Sequence, residues 1–335
     1  MITLPLRVGV VGLGIGEQHA RRAKQSPHVQ LTALCDHTLT KAQSLADELD
    51  VPFVTEHADA VLTHPDLDLV VIASFDDAHY EHAKLALQHG KHVFVEKPIA
   101  LTTAQLRDLK HELDQHGGRV KLATNVILRT APLYRWLKAT VEQGTFGEIY
   151  SIDGEYLYGR VHKITTGWRS QAPDYSVTLG GGVHMMDLML WILGERPQHV
   201  FALGNRIVTR DTPFRYADFT SGVMQTPSGC VMRLNANFGC VHRHHHVLRI
   251  FGSRATFIYD DQGARLHLTR DEAVHASSID LNPLPIHKAD LFSSFVSAIV
   301  AGDSWDSQIF LDGVSLCIAV DESIKLAKQV EVVYL

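Results

Sequence analysis

Cysteine is scarce in this chain: the four present, Cys35, Cys230, Cys240 and Cys317, form no CxxC pair. A disulfide framework is therefore not expected, and the usage suits a reducing compartment. An excess of basic charge is also missing, since 31 Lys and Arg face 37 Asp and Glu. Without a basic footprint, nucleic acid is not an expected partner. No run approaches the roughly 20 apolar residues of a membrane span. The opening MITLPLRVGVVG has neither the basic start nor the cleavage site of a secretory leader. The expectation is a cytoplasmic protein with no membrane partner. Internal repeats are missing too.

What is present is ordinary globular composition, 45% hydrophobic and 20% charged over 335 residues, enough for about two domains with buried cores. Arg7 to Ala20, RVGVVGLGIGEQHA, reads as a strand, a glycine turn and a helix. Gly12 and Gly14 let bare backbone approach a pyrophosphate, and a helix starting near Ile15 offers unpaired N–H groups to it. The next strand ends at Asp36, where a dinucleotide-binding unit places an acid on the adenosine ribose. A carboxylate there accepts from a 2′-hydroxyl and repels a 2′-phosphate, which favours NAD over NADP. His37 softens that bias, and Asp36 read alone is equally a helix cap.

Strand and helix continue to alternate through LDLVVIAS (67–74), a helix from His79, and HVFVEKP (92–98). The last is an apolar run ending in Glu96, Lys97 and Pro98, so Lys97 falls at a strand's carboxyl end, the edge where open α/β sheets bind ligands. The plain alternative is a lysine leaving the sheet into solvent. Thr102 with Gln105 predicts a capping box, and VKLATNV supplies a sixth strand. The fold class is α/β, with a doubly wound Rossmann domain over 1–124. Residues 125–335 form an α+β domain: an amphipathic helix from Pro132, then alternating segments predicting an open, mostly antiparallel sheet, with helical patterns over 286–301 and 310–328.

Several separated motifs together resemble the Gfo/Idh/MocA oxidoreductases: the glycine turn with His19 behind it, Glu96-Lys97-Pro98, Arg129 before the Trp136 helix, GTFGEI (144–149) and GGGVHMMDLMLW (180–191). The resemblance covers nearly the whole chain. It implies a nicotinamide cofactor, which the Asp36 reading makes NAD rather than NADP, and a sugar, polyol or derivative as substrate. By position, Lys97 looks like the family's substrate-contacting lysine and His184 like its acid or base. Cofactor contacts are implied for Gly12, Gly14, Ile15, Gly16, Asp36, His37, Ser74, His79, Glu96 and Lys97. The candidate substrate contacts are Lys97, Asn125, Arg129, Trp168, Arg169, His184 and Asp187. The Lys97-Pro98 peptide resembles one often cis in the family. Three places depart from the pattern: GxGxG for GxGxxG, Phe75-Asp76 for Pro-Asn, and Gly180 where inositol dehydrogenase-like members carry an aspartate.

Oxidising a secondary alcohol requires a hydride to leave carbon while a base takes the hydroxyl proton, work that Lys97 and His184 can divide. Three glycines before a helix would put His184 in its first turn, where the dipole disfavours imidazolium. Asp187, three residues on, either orients His184 or binds a substrate hydroxyl in place of the missing aspartate. The polar stretch Tyr158 to Thr178 reads as a loop over the pocket, with His162, Lys163, Trp168, Arg169 and Tyr175 as specificity candidates. Arg129 and Arg169 either clamp an anionic group or pair with acidic residues. On HRHHH (242–246), strand alternation sends His242, His244 and His246 to one face, and no metal is expected. The reading is an NAD-dependent dehydrogenase or reductase of a sugar-like secondary alcohol. The alternatives are a catalytically silent cofactor-binding sensor and a reductase of non-sugar carbonyls. Exposed sheet surface predicts a homodimer or homotetramer.

Overall fold

The computed structural model describes residues 5–335. The first four residues of the stretch read for a leader lie outside it. The chain divides into two compact units. The first comprises the chain up to Ile127 together with Ile286–Leu311; the second comprises Leu128–Pro285 and Asp312–Tyr334.

In the first unit, β1 (Leu6–Val11), α1 (Gly16–Gln25), β2 (Val29–Cys35), α2 (Leu39–Leu49), β3 (Phe53–Thr55), α3 (Ala58–Leu62), β4 (Leu69–Ile72), α4 (His79–Gln88), β5 (His92–Val95), α5 (Thr103–Gln115) and β6 (Leu122–Thr124) alternate along the chain. The six strands pair in parallel in the order β3-β2-β1-β4-β5-β6. β4 and β5 are buried at every position because helices cover both faces of such a sheet. Strand order reverses between β1 and β4, and ligands bind outside the carboxyl ends at that switch. The capping box forms as read: Thr102 Oγ1 accepts from the Gln105 N–H, while Gln105 accepts from the Thr102 N–H.

The division near residue 124 leaves one later segment to reassign. The helical segment near 286–301 belongs with the first unit, not the second. Leu291, Phe292, Phe295, Val296 and Ile299 form one apolar face of the helix Asp290–Ala301. That face enters the sheet's core, where Phe94 meets Phe292 at 5.4 Å and Phe295 at 5.8 Å between ring centres. Trp305 Nε1 donates to the Leu122 carbonyl and Ser307 Oγ accepts from the Leu122 N–H, closing the edge at β6.

The second unit opens with α6 (Pro132–Glu142), which has proline in its first turn and ends at Gly144 with φ +74°. Next come β7 (Ile149–Leu157), α7 (His162–Thr165), α8 (Val183–Leu193), β8 (His199–Asn205), β9 (Phe219–Gln225), β10 (Val231–Asn237), β11 (His245–Gly252), β12 (Thr256–Asp260), β13 (Gly263–His267) and β14 (Ser277–Ile279). The apolar helix Asp290–Ala301 is α9; α10 (Gln308–Leu326) and β15 (Val330–Glu331) finish the chain. The nine strands lie in the order β14-β13-β12-β11-β7-β10-β9-β8-β15, antiparallel except for β7 beside β10. Gly154 in the middle of β7 lets α8 approach closely, since a Cβ there would stand 2.9 Å from Met189 Sδ. Among the described residues no helix is long and apolar enough to cross a membrane.

Candidate active site

In the first unit the glycine turn behaves as its spacing implies. Gly12 has φ +84°, and a Cβ on it would lie 2.3 Å from the Ala73 carbonyl oxygen, so only glycine fits. Nothing stands within 4 Å of a Cβ on Gly14, which leaves backbone open to a ligand. Gly16 instead lies against the sheet: its Cβ would meet Ala73 at 3.0 Å and Val10 at 3.1 Å, so the glycine serves helix packing. Ile15 precedes α1 in helical conformation without a side-chain cap, leaving the first N–H groups unserved by any cap side chain.

Asp36, only 3% exposed, ties the end of β2 to that turn. Its Oδ2 accepts from the Leu13 N–H at 2.8 Å and its Oδ1 from the Thr38 N–H at 3.0 Å. Burial would raise this carboxyl, but the two N–H bonds, Lys41 and His37 outweigh it and hold it below the usual aspartate range. His37 Nδ1 lies 3.2 Å from Asp36 Oδ1, and its exposed ring neighbours that of Phe75 at 6.0 Å. A glycine cradle, an uncapped helix start and an ionised carboxylate at the end of β2 fit a dinucleotide.

Around β5 the residues form two clasps. Glu96 Oε1 accepts from Asn125 Nδ2 at 2.7 Å and meets His19 Nε2 at 2.9 Å. His19 is fully buried and packs edge-on against Phe94 and Phe292. Burial works against the Glu96 carboxylate, yet His19, Asn125 and Lys97 together keep it below the ordinary range, hence charged. Asn125, read as a substrate contact, gives one of its two amide N–H bonds to Glu96. On the other side, His79 is 1% exposed, with Nδ1 2.8 Å from the Pro98 carbonyl and Nε2 3.1 Å from the Ser74 carbonyl. Both partners are acceptors, so both contacts are hydrogen bonds only when each ring nitrogen carries a proton. Ser74 Oγ meets His82 Nδ1 at 3.0 Å, and burial pushes His82 down towards its neutral form. Partly buried Lys97, joined to Pro98 by a cis peptide, stands between these clasps.

In the second unit His184 lies on α8, buried to 8% exposure, with its ring stacked 6.1 Å from that of Tyr156 on β7. The helical run does not begin at the glycines. A π-turn over Thr178–Gly182 leads into α8, and the Gly180 N–H already bonds the Ser176 carbonyl at 2.7 Å. His184 is thus in the first turn of α8, as expected, but the π-turn extends the helical run back to Thr178, so the free N–H end on which the dipole argument for a neutral imidazole rests does not lie beside it. The glycines serve packing, since a Cβ on Gly181 would lie 2.4 Å from the Tyr156 ring and one on Gly182 3.1 Å from Ala236.

Asp187 pairs with Arg129: both of its carboxylate oxygens accept from the guanidinium, Oδ2 from Nε at 2.6 Å and Oδ1 from the terminal nitrogen. Of the two roles open to Arg129, pairing with an acid is the one the structure shows, at 10% and 2% side-chain exposure. The stretch 158–178 carries α7 and a short turn at Trp168–Ser170. There the Arg169 guanidinium lies 4.4 Å above the Trp168 ring, and Trp168 meets Tyr175 edge-on.

The histidine run departs from simple alternation because β11 starts only at His245. His244 and His246 are neighbours at 5.1 Å, facing Tyr156, whereas His242 joins His245 and Asp261. Burial pushes His246 down to about 3, so it is neutral. Among the described residues no group of three or more His, Cys, Asp or Glu side chains converges as a metal site. Two residues that sequence reasoning left without a role are His19, behind Glu96, and Tyr156, under His184. Period-two reading of β7 with Gly154 at its centre was the available signal for Tyr156.

The family model for an oxidoreductase family with an NAD-binding Rossmann fold matches residues 6–124, and that for the GFO/IDH/MocA C-terminal domain matches 134–258. The chain belongs to the Gfo/Idh/MocA oxidoreductase family. It is similar to the myo-inositol 2-dehydrogenase of Thermotoga maritima, 27% identical over 76% of this chain and 75% of that one. The D-glucoside 3-dehydrogenase of Escherichia coli is 31% identical over 58% and 56% of the respective chains. In fold it resembles the scyllo-inositol dehydrogenase of Lactobacillus casei solved with NAD(H) and scyllo-inositol, with a TM-score of 0.78, 23% identity, and 98% and 99% coverage. A levoglucosan dehydrogenase solved with NADH and L-sorbose gives a TM-score of 0.84 at 19% identity, again covering 98% of this chain and 99% of that one.

Proposed function

We propose that this protein transfers a hydride between NAD(H) and a secondary alcohol or ketone of a polyol, sugar or sugar derivative. Lys97 and His184 are the groups at the reacting centre. The observation that carries the reading is the placing of Lys97 at the carboxyl end of β5, one residue beyond an ionised Glu96 held by His19 and Asn125. An amine there is held with little freedom on the edge where a doubly wound sheet receives its ligand. The inositol and glucoside dehydrogenases to which the chain is similar supply the substrate class.

Gly12, Gly14 and the start of α1 would hold the pyrophosphate, and Asp36 the adenosine ribose. Bound NAD supplies the hydride acceptor. Lys97 donates a hydrogen bond to the oxygen as its negative charge develops, which favours the alkoxide over the alcohol. His184 takes the proton, with the Tyr156 ring stacked beside it. We further take the protein to be cytoplasmic and to assemble as a homo-oligomer through the open face of its nine-stranded sheet.

The test is cofactor absorbance followed across inositols, aldoses, glucosides and a set of non-sugar ketones. Turnover of a polyol or sugar supports the proposal. Cofactor binding with no change of redox state across the panel refutes it in favour of a sensor, and turnover confined to the non-sugar ketones refutes the substrate class.

A further inference from the structure

Position 180 has no side chain, yet the space one would occupy is filled. A Cβ on Gly180 would lie 2.5 Å from Tyr175 Oη and 2.9 Å from its Cζ. Gly180 precedes His184 by four residues in one continuous helical run, so the two share a helix face. The phenol hydroxyl therefore stands beside that face, about one turn from the imidazole. Its ring is braced edge-on by Trp168 at 6.4 Å and Phe214 at 5.7 Å and is 9% exposed. An oxygen that both donates and accepts is thus fixed beside the proposed proton acceptor.

We propose that Tyr175 Oη is a substrate-binding group that holds the hydroxyl vicinal to the carbon being oxidised, and that residue 180 is glycine to make room for it. The inference rests on the reading of His184 as a reacting group. Side chains one helical turn apart, about 5–6 Å between Cβ positions, suit the two oxygens of a vicinal diol, each reached through one hydrogen bond. The preferred substrate is therefore a vicinal diol, not an isolated secondary alcohol.

The experiment compares steady-state kinetics of the wild type, Tyr175→Phe, Tyr175→Ala and the double variant Tyr175→Ala with Gly180→Asp. The substrates are a vicinal polyol that the wild type oxidises and its analogue lacking the neighbouring hydroxyl. NADH affinity is measured in parallel by fluorescence. Tyr175→Phe is expected to lower kcat/KM on the diol about tenfold or more, to change it little on the analogue, and to leave NADH affinity intact. The carboxylate of Gly180→Asp, entering the vacated space, is expected to recover part of what Tyr175→Ala loses on the diol. Equal losses on diol and analogue, no loss at all, or a double variant no better than Tyr175→Ala would overturn the assignment. If the wild type turns over the diol and Lys97→Ala does not, while Tyr175→Phe is unimpaired, this inference falls alone. A wild type that oxidises nothing removes the underlying reading and this inference with it.

Discussion

Replacing Arg129 by methionine would strand the Asp187 carboxylate where only 2% of the side chain meets solvent. Burial already pushes this carboxyl above its ordinary value, and Arg129 is the partner that opposes the push. Removing one member of a buried pair typically costs about 3–5 kcal/mol, because the remaining charge must stay desolvated or be neutralised. Arg129→Met and Asp187→Leu should each show a loss of that size, read as a lower urea midpoint at unchanged slope. The double variant removes both charges and replaces them with apolar volume, so it should return to within about 1–2 kcal/mol of the wild type. The assay is a double-mutant cycle of urea unfolding on the full chain. Single variants costing less than about 1 kcal/mol, or a double variant as unstable as the sum of the singles, would refute a buried structural pair.

The Asp36 carboxyl titrates below its ordinary range in the folded chain, so its stabilisation is present above the unfolded aspartate value and is lost as pH falls through the folded one. Asp36→Asn should flatten that acid limb of a pH-melting series and weaken NAD binding; an unchanged limb would remove Asp36 from the account. Gly181→Ala would drive a methyl group to 2.4 Å from the Tyr156 ring and 2.8 Å from that of Phe238. It should destabilise by about 1–3 kcal/mol, lowering kcat as Tyr156 shifts under His184; calorimetry and turnover measure the two, and a neutral substitution would contradict the packing.

Local chemistry was the legible part of the sequence. The glycine turn, the Asp36 strand end, the Thr102 capping box and the proline-started α6 each declare themselves within a few residues, and the structure has them there. What escaped depends on contacts between distant residues. α9 has the same apolar face wherever it packs, and only the rings of Phe94 and Trp305 show that it closes the first unit. Arg129 and Asp187 lie 58 residues apart, so neither segment declares the pair. The π-turn before α8 escaped because three glycines usually interrupt a helical run, whereas here close packing on Tyr156 and Ala236 requires them within one.

Alcohol oxidation is proposed above to depend on both the Lys97 amine and the His184 imidazole. NADH formation at saturating NAD and polyol, measured for the wild type, Lys97→Ala and His184→Ala, tests it most directly. The account predicts that both variants lose at least about a hundredfold in kcat, the scale of general acid–base catalysis, while binding NADH as the wild type does. Either variant turning over at the wild-type rate would contradict it.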